Sequence, residues 1–331
     1  MVQQHVLPRW RGFNLPDAVG MDSPGFFQQE DFEMIADLGF DFVRLPVNYR
    51  FWTEKDPFSI NENKMSFLDE AIQWGDRYGL HVCVALHRAP GYCVAKDPPE
   101  PFDLFADEHA LEAFCLHWET LARRYCGIGS GKLSFNLVNE PALVSPEADA
   151  RVMSAAADTI HRVDPQRLCI ADGMEYGNEP SLELARKGQM AQSCRGYLPK
   201  GITHYQAAWV RNYNLFPVPQ WPFSPERPQS NVLWDAELLY RHYQAWASLS
   251  EIYSIGIHCG EGGCYNRTPH NITLQWMEDW LHALRCANIG YALWNLRGDF
   301  GILDSDREDV EYTNYHGHKL DQKMLKLMLR Y

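Results

Sequence analysis

Short apolar runs alternate with longer stretches of helical spacing along most of the chain. The runs cover residues 40–47, 81–86, 133–138, 167–171, 202–205, 255–259 and 291–295, and residues 11–15 (Arg-Gly-Phe-Asn-Leu) read as a first strand. Several are nearly continuous in apolar or β-branched residues, the pattern of strands covered on both faces. Between them, Phe67, Ala71, Trp74 and Tyr78 recur at helical spacing, as do Leu111, Phe114, Trp118, Leu121 and Tyr125. Residues 146–162, 235–252 and 274–286 repeat that pattern. Eight strand candidates alternating with about eight helices predict an α/β fold, a (β/α)8 TIM barrel in a single domain over residues 1–331. An open doubly wound sheet is the runner-up, but no Gly-x-Gly-x-x-Gly turn follows an early strand.

One insertion interrupts the alternation. Residues 207–234 carry five prolines and three tryptophans, Trp209, Trp221 and Trp234. Structureless connections this long are usually functional or disordered, and disordered segments are poor in aromatics. In a barrel this loop opens on the face where substrates bind, so Trp209 and Trp221 are expected to wall a binding site. The plainer reading is that its tryptophans only pin the loop.

Composition narrows the partners. A chain of 331 residues buries a core large enough to fold without disulfides or metal. The net charge is −13 and no basic tract stands out, which argues against nucleic acid or an anionic membrane as partner. No apolar stretch is long enough for a transmembrane helix. Eleven Trp, 16 Tyr and 16 Phe exceed an ordinary core's needs, and sugars are one use for that surplus. Nine cysteines are an odd number; Cys83, Cys169 and Cys259 sit in apolar runs, as small buried hydrophobes do. Cys259 and Cys264 with His258 faintly suggest a metal cluster, but a second Cys-x-x-Cys half is missing, so neither metal nor cofactor is expected. The start MVQQHVLPRWRGF lacks a charged-then-apolar leader, and the cysteine usage leans the same way, toward the cytoplasm, unless a leader was removed.

Barrel active sites form at the C-terminal ends of strands, so the informative residues are those ending each run. Strand two ends near Arg44, three at His87, four at Asn139-Glu140-Pro141, six at His204, seven at Glu261 and eight at Trp294. Two glutamates facing each other across the mouth are the machinery of glycoside hydrolysis. One must hold a proton near neutral pH while the other is ionised, and environment separates those roles. A Schiff-base barrel needs a lysine at a strand end, and none of the eight runs ends in one. A metal-dependent barrel hydrolase wants a His-x-His pair, and His316–His318 lies in a polar segment near the C-terminus. A sugar-binding barrel without catalysis would have lost a carboxylate, and both are present.

Arg11 to Leu15, Val43-Arg44-Leu45-Pro46, His87-x-Ala89-Pro90-Gly91, Asn139-Glu140-Pro141, Gly260-Glu261-x-Gly263 and Ala292-x-Trp294-Asn295 stand in an order that resembles the retaining cellulase family, glycoside hydrolase family 5. The resemblance covers about residues 11–299. It implies that Glu140 is the acid/base and Glu261 the nucleophile, with Arg44 orienting the nucleophile. It also implies that Asn139 bonds the 2-hydroxyl, that His87 and His204 line the subsite, and that Trp294 is the platform beneath the reacting sugar. An aromatic face suits the apolar C–H face of a pyranose, while polar groups read its hydroxyls. The implied substrate is a β-1,4-linked glycan, cleaved by double displacement in the manner of an endo-β-glucanase. A β-mannanase or an exo-acting β-glycosidase is the alternative, and the expected state is a monomer with a saccharide as its partner.

Two positions depart from the family pattern. Ala85 stands two before the first histidine, where an acidic residue is usual. A His-x-Tyr pattern is expected at strand six, its tyrosine bonded to the nucleophile; reading it from His204 puts Gln206 in the tyrosine's place, able to donate a hydrogen bond instead. Asn178-Glu179-Pro180 repeats the acid/base motif, but it follows a turn (Gly173 to Gly177) rather than a buried strand and is read as a decoy. Asp299, Asp304 and Asp306 are read as a solvated turn, without calcium-loop spacing.

Overall fold

Eight strands run in one direction and close into a ring: β1 (Arg11–Asn14), β2 (Phe42–Asn48), β3 (His81–Ala89), β4 (Leu133–Asn136), β5 (Leu168–Asp172), β6 (Ala191–Gly196), β7 (Ile257–Gly262) and β8 (Gly290–Leu293). Each pairs in parallel with the next, and β1 pairs with both β2 and β8, so no strand edge is left open. The computed structural model describes residues 7–21, 26–95, 98–224 and 232–331. The strands are followed in turn by α1 (Gln29–Asp37), α2 (Ser66–Tyr78), α3 (Glu108–Arg124), α4 (Pro146–Val163), α5 (Leu182–Lys187), α6 (Ala236–Tyr253), α7 (His270–Cys286) and α8 (Gln322–Arg330). The chain is therefore a single-domain (β/α)8 barrel.

Local chemistry starts and stops these helices. Ser145 caps α4 by accepting from the Ala148 amide, and Pro146 takes the first turn, where an amide would be unpaired anyway. Asp107 and Asp235 cap α3 and α6 in the same way. Each helix turns an apolar stripe inward, as α4 does with Val152, Met153, Ala156 and Ile160. Trp52, Trp118, Trp246, Trp276 and Trp280 are fully buried, so much of the aromatic surplus fills core instead of facing a ligand. Among the described residues, no helix is long and apolar enough to cross a membrane.

The run at 202–205 is a correction. It straddles the end of a helical turn (Lys200–Thr203) and the turn after it, and the sixth strand is Ala191–Gly196. That strand hides because Gln192, Ser193 and Arg195 are all buried. Arg195 and Ser193 bond inside the barrel, and Gln192 exchanges hydrogen bonds with the Ser181 backbone. Polar residues that face other polar residues leave no hydrophobic signal. The 207–234 insertion is also more ordered than expected. It contains a 3-10 turn (Tyr213–Leu215), and the backbones of Phe223 and Trp234 exchange two hydrogen bonds of 2.8 Å; residues 225–231 lie outside the described residues.

The N-terminal end of the barrel is plugged. Leu7, Trp10, Phe42, Cys83, Leu168, Ile170, Ala191 and Ala292 form a small separate core there. His81 stacks on Trp10 at 3.7 Å, and His258 lies 4.4 Å from Phe42. Among the described residues this packing fills the N-terminal end of the barrel.

Candidate active site

Inward-facing positions near the mouth are polar on most strands. Asn14, Arg44, Asn136, Asp172, Arg195 and Glu261, from β1, β2, β4, β5, β6 and β7, are all buried. Such groups survive burial only when paired, and these pair with one another. Arg44 donates to Glu261 Oε1 at 2.6 Å, to Asn14 and Asn136 at 2.9 Å, and to Asn139 Oδ1 at 3.0 Å. Arg195 donates through Nε to Glu140 Oε1 at 2.9 Å, and through Nη2 to Asn139 Oδ1 at 3.0 Å and Glu261 Oε1 at 3.4 Å. The same Nη2 bonds Asp172 Oδ2. One guanidinium therefore touches both glutamates.

Backbone irregularities aim these groups. Cys194 lies opposite Cys259 but Arg195 lies opposite Glu261, so β7 carries one extra residue, Gly260. That bulge turns Glu261 toward Arg195. Only glycine fits there, since a Cβ on Gly260 would sit 2.5 Å from Ser193 Oγ. Glu140 itself has φ +50°, a left-handed conformation that an ordinary residue adopts at some cost. Two bonds hold it: its amide donates to Asp172 Oδ2 at 2.8 Å, and its carbonyl accepts from Tyr92 OH at 2.7 Å.

The two glutamates are set differently. Burial, then the nearby Glu261 charge, push Glu140 up to about 7, against the pull of Arg195. Glu261 is tied down by Arg44 on one oxygen and by the Tyr197 hydroxyl on the other, at 3.3 Å. Burial holds His87 neutral, down to about 4, and likewise His204, down to about 3. Within the cluster, three carboxyls (Glu140, Asp172, Glu261) face two guanidiniums (Arg44, Arg195). A single proton on a carboxyl makes the set neutral, and Glu140 is the group raised to hold it.

A cleft of about 940 Å³ opens above the cluster, and Glu140, Glu261, His87, His204, Trp209 and Trp294 all line it. The other sequence candidates need correcting. His204 caps the turn after β6 instead of ending a strand. Gln206 is solvent-exposed at φ +59° and does not line the cleft. The tyrosine that bonds Glu261 is Tyr197, so the expected His-x-Tyr pattern is met at Arg195-Gly196-Tyr197, with arginine in the histidine's place. Trp221 donates to Asp279 and lines a separate surface hollow. Of the repeated motif, Asn178 reaches the cleft while Glu179 is exposed. Asp299 also lines the cleft, whereas Asp304 and Asp306 bond His318 and Lys319.

Sequence reasoning missed Asp172, Arg195, Tyr197 and Tyr92. The usable signal was the x-Tyr spacing after Arg195. Among the described residues, Asn139 Nδ2 and His87 Nδ1 are buried at the site without a hydrogen-bond partner. Among the described residues no three His, Cys, Asp or Glu side chains converge as metal ligands. His258 bonds the Trp10 carbonyl at the plugged end, while Cys259 and Cys264 belong to the outer core.

Paired carboxyls at the open mouth of a (β/α)8 barrel define the class, a glycoside hydrolase. The chain belongs to glycosyl hydrolase family 5, the cellulase family, whose model matches residues 3–299. The crystal structure of a glycoside hydrolase superposes with a TM-score of 0.91 at 33% identity, over 97% of this chain and 99% of that one. Endoglucanase C of Acetivibrio thermocellus is 27% identical over 310 residues, 86% of this chain and 88% of the relative. Cellodextrinase A of Ruminococcus flavefaciens is 26% identical over 265 residues, 76% of this chain and 73% of the relative. Family membership makes this protein a glycosidase that acts with retention.

Proposed function

We propose that the chain is an endo-acting β-1,4-glucanase, with Glu261 as nucleophile and Glu140 as acid/base. The observation that carries this reading is the unequal setting of two glutamates that share one guanidinium: Glu140 is raised to about 7, and Glu261 is tied to Arg44 and Tyr197. Glu261 attacks the anomeric carbon as the glycosidic C–O bond breaks, and Glu140 gives its proton to the departing oxygen. Glu140 then takes a proton from water, whose oxygen attacks the same carbon and releases Glu261. Configuration is retained because the centre is displaced twice. The unpartnered Asn139 Nδ2 is a donor suited to the 2-hydroxyl, and Trp294, beside His87 at 5.6 Å between rings, suits a platform under the sugar. The names of the two relatives support a cellulosic substrate, and the absence of a basic tract supports a neutral saccharide.

Azide rescue tests the assignment. Glu140→Ala is expected to form the glycosyl-enzyme from an activated aryl β-glycoside, stall, and release a β-glycosyl azide when azide is added. An α-glycosyl azide from Glu140→Ala, with the β-azide from Glu261→Ala, reverses the roles. A product profile on defined β-glucans and β-mannans fixes the backbone cleaved, and exclusive release of one end unit overturns endo action.

A further inference from the structure

Arg195 occupies the most connected position in the site. It is 1% exposed and carries a formal charge, so its partners must compensate for the water it has lost. Nε meets Glu140, Nη2 meets Asn139, Asp172 and Glu261, and Nη1 meets Ser193 Oγ at 3.0 Å and the Cys194 carbonyl at 3.3 Å. Its aliphatic stem is clamped as well, since a Cβ on Gly177 would sit 2.6 Å from Arg195 Cγ. Asp172 is equally committed. It is fully buried, with Oδ1 accepting from Asn136 at 3.0 Å and Oδ2 accepting from both Arg195 and the Glu140 amide.

We propose that Arg195 and Asp172 are the positioning pair of this active site: Asp172 fixes the guanidinium and the turn bearing Glu140, and the guanidinium holds both glutamates and decides which carries the proton. The proposal rests on the assignment of Glu140 and Glu261 above. Histidine in the family's pattern is one ring with two nitrogens, whereas the arginine fork reaches Glu140, Glu261, Asn139 and Asp172 at once. A fixed cation there opposes the burial that raises Glu140, and Asp172 opposes the cation in turn. The two members therefore pull Glu140 in opposite directions. The other charged or titratable groups around Glu140 are Glu261 on β7, Arg44 on β2 behind it, and His87 on β3. Tyr197 follows β6, Tyr92 follows β3, and Tyr176, Lys200 and His204 lie along the cleft.

The test is the pH dependence of kcat/KM on an unactivated cello-oligosaccharide, whose alkaline limb reports the acid. Arg195→Met removes the cation and is expected to move that limb up by about one pH unit. Asp172→Asn leaves the cation unopposed and moves it down by a comparable amount. Arg195→Lys keeps the charge but loses the fork, so its limb stays within about 0.3 units of wild type while kcat falls about tenfold with little change in KM. Limbs that move in the same direction in Arg195→Met and Asp172→Asn, or that do not move, overturn the proposal. If Arg195→Met does not fold, the contrast between a lowered Asp172→Asn limb and an unshifted Arg195→Lys limb decides: a lysine limb shifted by a full unit, or an unshifted Asp172→Asn limb, overturns it. Azide rescue of Glu140→Ala is independent of these outcomes, so failure of the positioning pair is distinguishable from failure of the glutamate assignment.

Discussion

The two ends of the barrel interior are made from the same eight strands and both bury titratable side chains, yet they handle charge in opposite ways. At the plugged end, His81 stacks on Trp10 and His258 packs at a tilt against Phe42, and their polar partners are neutral: Gly131 carbonyl, Ser134 hydroxyl and Trp10 carbonyl. Burial there pushes His81 down to about 4 and His258 down to about 3, so both rings are uncharged. At the mouth, five formal charges are packed together, with Arg44 and Arg195 interleaved among three carboxyls. Burial alone turns a titratable group neutral and inert. Keeping it reactive in the same barrel requires opposite charge at hydrogen-bond distance, and a proton shared by the set.

The largest test of that contrast is loss of function at one end only. Glu261→Gln keeps the shape of the mouth but removes the attacking charge, and kcat is expected to fall about 10⁴-fold or more on every glycoside, activated or not. His258→Gln at the plugged end is expected to leave kcat within about twofold, since neutral rings remote from the cleft take no part in proton transfer. Steady-state rates on an aryl cellobioside check both. A His258→Gln enzyme that lost activity as deeply would abolish the distinction between the ends.

Stability against pH sharpens the same contrast, because the two ends have opposite signs. His81 and His258 have folded values below the ordinary 6.5, so folded and unfolded chains bind equal protons above that pH. As pH falls from 6.5 toward 4, the unfolded chain takes up protons that the folded chain refuses, and each ring withdraws about 3 kcal/mol of stability. Glu140 runs the other way. Its folded value of about 7 lies above the ordinary 4.5, so its full contribution is present below pH 4.5 and is lost as pH rises to 7. Glu140→Gln is expected to be more stable than wild type at pH 8 by about 3 kcal/mol, with the difference gone near pH 4. His258→Gln is expected to flatten the acid limb. Urea unfolding across pH 4–8 measures both, and a Glu140→Gln chain no more stable at pH 8 refutes the buried-acid account.

Sequence and structure agree where burial is apolar and part where it is polar. Seven strands were visible as apolar runs because their outward faces press on helices, as Val43, Leu45 and Val47 do on β2. β6 was invisible because its inward face carries Ser193 and Arg195, which satisfy each other and the carboxyls inside the barrel. The same cause displaced the tyrosine: with the strand placed at 202–205, Gln206 stood where Tyr197 belongs. Glu140, Glu261 and Asn139 were legible from motif order, since each follows an apolar run; Arg44 was legible from its Val-Arg-Leu-Pro motif, although it lies within β2 rather than at its end, where the sequence reading put it. Asp172 ends one too, but only the three-dimensional pairing with Arg195 distinguishes it from an ordinary surface carboxylate. The loop tryptophans could not be sorted by sequence, because composition marks both alike while only Trp209 reaches the cleft.

Those tryptophans supply the smallest test, at the rim of the mouth. At the plugged end an indole is a packing element, with Trp10 buried and stacked on His81. Trp209 is 60% exposed and lines the cleft, in edge-to-face contacts with Tyr265 at 4.8 Å and His204 at 6.3 Å. An exposed indole gives little to folding, but it can stack on a sugar two or more units from the cleaved bond. Such a contact is worth about 1 kcal/mol, which makes Trp209→Ala raise KM about fivefold on cellohexaose while leaving an aryl cellobioside nearly unaffected. Trp221 gives its indole proton to Asp279 at 2.7 Å on another face, so Trp221→Ala is expected to lower the melting temperature slightly and leave both KM values alone. Equal KM changes in the two variants, or none in Trp209→Ala on the long substrate, make the rim indole a loop pin, and the exposed aromatic then belongs with Trp10 as packing.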